Sequence, residues 1–116
     1  MKRVRFVGSS REDMSAFPAS ARLRAGHELF MLQAGRESSD WKPISAVGAG
    51  AREIRVRDDT GAFRVIHVAK FADAIYVLHA FQKKVQKTAR TDIDLAERRY
   101  REAQALAKEA SHGKGQ

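Results

Sequence analysis

The chain has 116 residues, enough for one domain and too few for two ordinary ones. It contains no cysteine, which excludes a disulfide scaffold, a thiolate zinc site and a thiol nucleophile, and suits a reducing compartment. Lysine and arginine number 22 against 14 acidic residues, a formal charge of +8 and an isoelectric point near 10.3; such an excess on a small body attracts polyanions. No segment approaches the roughly 18 apolar residues of a membrane span. The opening Met1-Lys-Arg-Val-Arg-Phe6 alternates charged and apolar groups where a signal peptide has an apolar run. The expectation is a single domain over residues 1–110 with a disordered tail at 111–116, cytoplasmic and with no membrane partner.

Arg3-Val-Arg-Phe-Val7 has the two-residue period of a half-buried strand. Ser10 and Asp13 have capping-box spacing and open a short helix that ends at Phe17-Pro18. Proline stops that helix and suits the first turn of another. Leu23, Leu29, Phe30, Met31 and Leu32 form the apolar stripe of the second helix, and Gly35 its stop. The two pieces read as a helical hairpin.

Trp41 to Val47 reads as a strand and Gly48-Ala-Gly50 as a turn. In Arg52-Glu-Ile-Arg-Val-Arg57, Ile54 and Val56 face one side while Glu53, Arg55 and Arg57 face the other. Asp58-Asp-Thr-Gly61 has hairpin chemistry. Phe63 to Lys70 and Ile75 to Phe81 are two further strands with Asp73 in their turn, and three strands on short turns form an antiparallel meander. Thr91 and Asp94 make a second capping box. Behind it, Ile93, Ala96, Tyr100, Ala103, Ala107 and Ala110 form a helical seam opposite Glu97, Arg98, Arg101 and Glu102. The class is α+β: an antiparallel sheet of about four to five strands, an N-terminal helical hairpin and a C-terminal helix, with the helices against one sheet face.

The basic residues are not spread evenly. Lys83, Lys84, Lys87 and Arg90 lie between Phe81 and Arg90 with no acidic residue among them, in a loop leaving a rigid sheet end, where function tends to sit. A hairpin about Asp59-Thr60 brings Arg57 near Arg64 on one face, beside Arg55. Like charges facing each other in a sheet are destabilising, so the cluster points to an anion, and arginine grips phosphate with two hydrogen bonds. The competing reading is a solvated face on which Glu53 and Asp58 neutralise these arginines.

Trp41-Lys-Pro, Gly48-Ala-Gly-Ala-Arg-Glu-Ile-Arg-Val-Arg57, Gly61-Ala-Phe-Arg-Val-Ile-His-Val68 and His79-Ala-Phe-Gln-Lys-Lys84 closely resemble the phage-derived HigB-type toxins of the RelE/ParE superfamily, over roughly Arg3 to Arg101. The resemblance implies a RelE-like fold and the toxin role in a type II toxin–antitoxin pair, with a helix-turn-helix antitoxin as partner. RelE-like members cut mRNA on the ribosome, ParE-like members inhibit DNA gyrase, and a decayed prophage remnant would only bind its antitoxin. The fold does not choose among these.

RNA cleavage by a 2′-hydroxyl needs a base, a cation on the phosphorane and an acid for the 5′-oxygen. RelE-like enzymes rely on Lys, Arg and sometimes Tyr for these, without a metal or other cofactor. On that resemblance Arg64 is the phosphate clamp, and Lys83 or Lys84 transfers a proton or clamps. Arg55, Arg57, Lys87 and Arg90 are RNA-binding. The family's C-terminal tyrosine has no clear counterpart, since Tyr100 sits on the apolar seam of its helix. His67 and His79 fall on strand faces rich in bulky apolar groups and read as hydrogen-bonded structural residues, His27 and His112 as surface ones. No metal-ligand spacing is present. Trp41 reads as packing, with base stacking as the alternative.

Overall fold

A computed structural model describes residues 1–114. The elements are β1 (Arg3–Phe6), α1 (Ser10–Ser15), α2 (Ala19–Gln33), β2 (Trp41–Pro43), β3 (Ala51–Asp58), β4 (Gly61–Val68), β5 (Ala74–Lys83) and α3 (Arg90–Lys114). This is the strand, two helices, four strands and helix order read from the sequence. They build one five-stranded sheet in the order β1-β5-β4-β3-β2. β2 through β5 pair antiparallel, as the meander pattern predicts. β1 departs from that expectation. It lies parallel to β5, with Arg3 opposite Ala74 and Phe6 opposite Val77, so the sheet is mixed.

The helices cover both faces, not one. Phe17, Ala21, Ala25 and Leu29 pack on Ile54, Val56, Phe63, Val65 and Val77. On the other face Ala96, Tyr100 and Ala103 of α3 pack on Ile66, Val68, Tyr76 and Leu78. α1 and α2 touch each other little, each packing chiefly on the sheet. The α3 seam is where periodicity placed it. Tyr100 is core: its hydroxyl donates to Ala49 O at 2.6 Å. Gly48 makes this docking possible, because a Cβ there would meet the Tyr100 ring at 2.6 Å.

Several local readings shift. Ser9, not Ser10, is the N-cap of α1, and Ser10 is buried with its hydroxyl on Val77 O. α3 opens at Arg90, so Thr91 lies inside its first turn, and the helix runs through Lys114 into the stretch read as a tail. Residues 115 and 116 lie outside the described residues. β2 stops at Pro43 because Ile44 to Gly50 fold into turns. On α2 the buried face is Ala21, Ala25, Glu28 and Leu29, while Leu23 is 72% and Phe30 50% exposed. Small residues let this helix approach the sheet closely, and the large ones point outward. Its end matches expectation: Gly35 has φ +80°. The Gly35 N–H donates to Leu32 O and the Arg36 N–H to Met31 O, a Schellman closure.

Candidate functional site

The strand register lays out the basic face row by row. Glu53, Ile66 and His79 stand side by side on β3, β4 and β5; next come Arg55, Arg64 and Phe81; then Arg57, Ala62 and Lys83. Alternation puts all nine on one sheet face. α3 packs on Ile66 and the rows behind it, so the two outer rows lie beyond its N-terminus. Ala62 stands between Arg57 and Lys83, where its short side chain leaves a gap. That gap is the floor of an open groove of about 540 Å³, lined by Arg57, Ala62, Arg64, Lys83, Lys84, Val85 and Gln86.

The groove thus brings together Arg57, Arg64, Lys83 and Lys84. It does not gather the whole predicted set. Arg55 shares the face, but its side chain pairs with Asp40 at 3.7 Å, toward the sheet edge. Lys87 is exposed on the loop outside the groove lining. Arg90 is 84% exposed and pairs with Asp94 one helical turn on. Lys83 belongs to β5 itself, so the loop proper is Lys84 to Ala89.

Arg64 is 4% exposed, the most deeply set of these cations. Its Nη1 donates to Phe63 O at 3.0 Å, which orients the guanidinium. Burial lowers its proton affinity and Glu53 opposes that shift, yet arginine remains charged throughout the accessible pH range. Lys83 is also lowered from the ordinary lysine value, first by burial and then by the positive charge of Arg64. A lysine so placed is closer to working as a base than a free one.

Glu53 is the residue that sequence reasoning misread. Grouped with Arg55 and Arg57 it looks like one charge of a solvated face, but its exposure is 0%. Its Oε1 lies 3.7 Å from both Arg64 Nε and Lys42 Nζ, and its Oε2 accepts the Thr88 hydroxyl at 2.6 Å. One signal was available: its cross-strand neighbour is the core residue Ile66. Glu53 does face one of the arginines, Arg64, but among the described residues Asp58 pairs with none. It accepts from Ser20 and from the Thr60 amide and hydroxyl, and these bonds hold its carboxyl below the usual aspartate value.

The histidines stay out of the groove. His79 is buried, stacks on Phe81 with ring centroids 4.7 Å apart, and its Nε2 lies 2.7 Å from Asp92 Oδ1. His67 is also buried but differs from expectation, since among the described residues neither ring nitrogen has a hydrogen-bond partner. Burial, with Arg52 nearby, pushes it down to about 4. His27 and His112 are exposed. Trp41 carries the Arg52 guanidinium over its ring at 3.9 Å, so that face is already stacked. Among the described residues no group of acidic and histidine side chains could hold a metal ion. No helix there is long and apolar enough to cross a membrane.

No curated protein matches the chain. A family description does: that of the phage-derived Gp49-like proteins (DUF891), which matches residues 12–101. The match spans all of β2 to β5 and with them the whole groove. The chain is a member of the phage-derived Gp49-like family.

Proposed function

We propose that this protein is the toxin of a type II toxin–antitoxin pair, a cytoplasmic endoribonuclease that cuts mRNA on the ribosome and is silenced by a helix-turn-helix antitoxin. The observation that carries the reading is the convergence of Arg57, Arg64, Lys83 and Lys84 on one groove floored by Ala62. Strands hold three of the four cations, so their charge is preorganised toward an anion that enters. Membership of the Gp49-like family and the resemblance of the sequence blocks to HigB-type toxins support the toxin role.

In this mechanism the scissile phosphate sits over Ala62. Arg64 holds two of its oxygens and takes up the charge that grows on the phosphorane. Lys83 removes the 2′-hydroxyl proton, the freed oxygen attacks the adjacent phosphorus, and the bond to the 5′-oxygen breaks. The products are a 2′,3′-cyclic phosphate and a 5′-hydroxyl. Lys84, at the open end of the groove, serves the departing 5′-oxygen, and Arg57 holds the neighbouring phosphate. Lys87, Arg90 and Arg55 lie around the groove as contacts for the approaching strand. The side chains perform all three services without a metal.

Primer extension on translated messages after induction tests this. The expected result is cleavage at codon positions that disappears in Arg64→Ala and Lys84→Ala. Intact messages accompanied by gyrase-trapped DNA breaks would replace this reading with a ParE-like one. Intact messages with antitoxin binding alone would make the protein an inactive remnant.

A further inference from the structure

Glu53 poses a physical question that phosphate binding does not answer. A carboxylate removed from water is costly unless other groups compensate it. It also lowers the positive charge of the face that would attract RNA. Yet it is wholly buried beneath that face. Its three neighbours come from three separate segments: Arg64 from β4, Lys42 from β2, and Thr88 from the loop entering α3. The two cations stand at 3.7 Å, beyond hydrogen-bond reach. Among the described residues, the hydrogen bond that Glu53 accepts through its side chain comes from Thr88, at 2.6 Å.

The segment between Lys83 and Thr88 contains Lys84, Val85 and Gln86, which make one wall of the groove. All three are exposed, and Val85 is 60% so. Little packing therefore holds this wall. β5 fixes one end of it, and the Thr88–Glu53 bond fixes the other. The same carboxylate faces Arg64 on the groove floor side.

We infer that Glu53 is a positioning residue, which aligns Arg64 through its Oε1 and, through Thr88 on its Oε2, holds the 84–89 loop where Lys84 meets the substrate. This deepens the ribonuclease reading and rests on it. Wall and floor are tied to one buried carboxylate, so Lys84 and Arg64 keep a constant separation. A misplacement of about 1 Å in such a pair can cost on the order of a hundredfold in rate.

The test uses Thr88→Val, which keeps the shape and removes the donor, and Thr88→Ser, which restores it. Backbone amide order parameters of residues 84–89 in Thr88→Val should drop below about 0.6, while β3 to β5 stay near about 0.85. In ribosome-dependent cleavage, kcat should fall about 10–100-fold with KM within about threefold, and Thr88→Ser should recover most of the loss. Unchanged order parameters in the loop overturn the latch. Loop loosening with full cleavage activity overturns the positioning role. If the unaltered protein cuts no RNA, the ribonuclease reading fails, and the loop's order parameters still decide whether Glu53 and Thr88 fix it. Glu53→Gln checks the second contact: with the amide oxygen still able to accept from Thr88, cleavage should drop about tenfold or more, because Arg64 loses its counter-charge. Full activity in that variant overturns the Arg64 half of the inference.

Discussion

Arg55 on β3 and Arg64 on β4 are direct cross-strand partners, two guanidinium groups where a sheet gains more from opposite charges. Each has an acid at 3.7 Å, Asp40 for Arg55 and Glu53 for Arg64. The Arg55–Asp40 pair is exposed enough to contribute little. Arg55→Gln should therefore stabilise the fold by about 0.2–1 kcal/mol in urea unfolding. It should also weaken binding of a single-stranded RNA oligonucleotide and reduce the slope of log affinity against log salt by about 0.7 if one phosphate contact is lost. A variant both less stable and equally tight would contradict the view that repulsion here serves anion binding.

Ala62 offers a test that leaves every charge in place. Ala62→Leu fills the gap between Arg57 and Lys83 with apolar volume. The site is half-exposed, so overpacking has room to relax and the melting temperature should move little. RNA cleavage and oligonucleotide binding should both fall at least about tenfold, as a phosphate can no longer reach Arg64. Retained cleavage would move the substrate out of this groove.

Lys83 predicts a pH profile. Its proton affinity is lowered by burial and by Arg64, and the neutral amine is the form that accepts a proton. Cleavage by the unaltered protein should rise with pH, levelling off below the free-lysine value of about 10.4. Lys83→Arg keeps the positive charge but cannot serve as a base in this range. It should lower kcat about a hundredfold or more and abolish the rise. A profile that falls with rising pH would make Lys83 a clamp.

His67 governs acid stability. Its folded value of about 4 lies below the ordinary 6.5, so the unfolded chain binds the proton more readily. Stability is then full above about pH 6.5 and declines as pH falls toward 4, by on the order of 3 kcal/mol from this group. Urea unfolding across that window in His67→Leu should show a flatter dependence, because the replacement cannot take up a proton. An equal slope in the variant would assign the acid sensitivity to other groups.

The meander, the α3 seam and the helix stop at Gly35 were legible because each depends on neighbours in sequence. Alternation, three-and-four spacing and a glycine's conformational freedom act over a few residues. The parallel pairing of β1 was not legible, since nothing local in Arg3–Phe6 names β5 as its partner. α2 misled through size. Leu23 and Phe30 look like its core face, but Ala21 and Ala25 are what the sheet can accept at close range.

The candidate site followed the same division. Arg57, Arg64, Lys83 and Lys84 were found by charge and position. The part of Ala62 became visible only with the strand register. Glu53 was hidden more thoroughly. A charged side chain between two arginines reads as surface, and its burial depends on Thr88, 35 residues later.

The pairing of β1 with β5 has a consequence for synthesis. The first strand finds its partner only after about seventy more residues have been made, and Arg99 later bonds to Ser9 across a separation of 90. Contacts so distant along the chain slow folding, because a long loop must close before they contribute. A ribosome-bound chain that has emerged only through β4 lacks β5, the strand that joins β1 to the rest of the sheet, and both groove lysines. On the toxin role proposed above, the groove is completed late in translation, which leaves time for an antagonist to be present when the last strand docks.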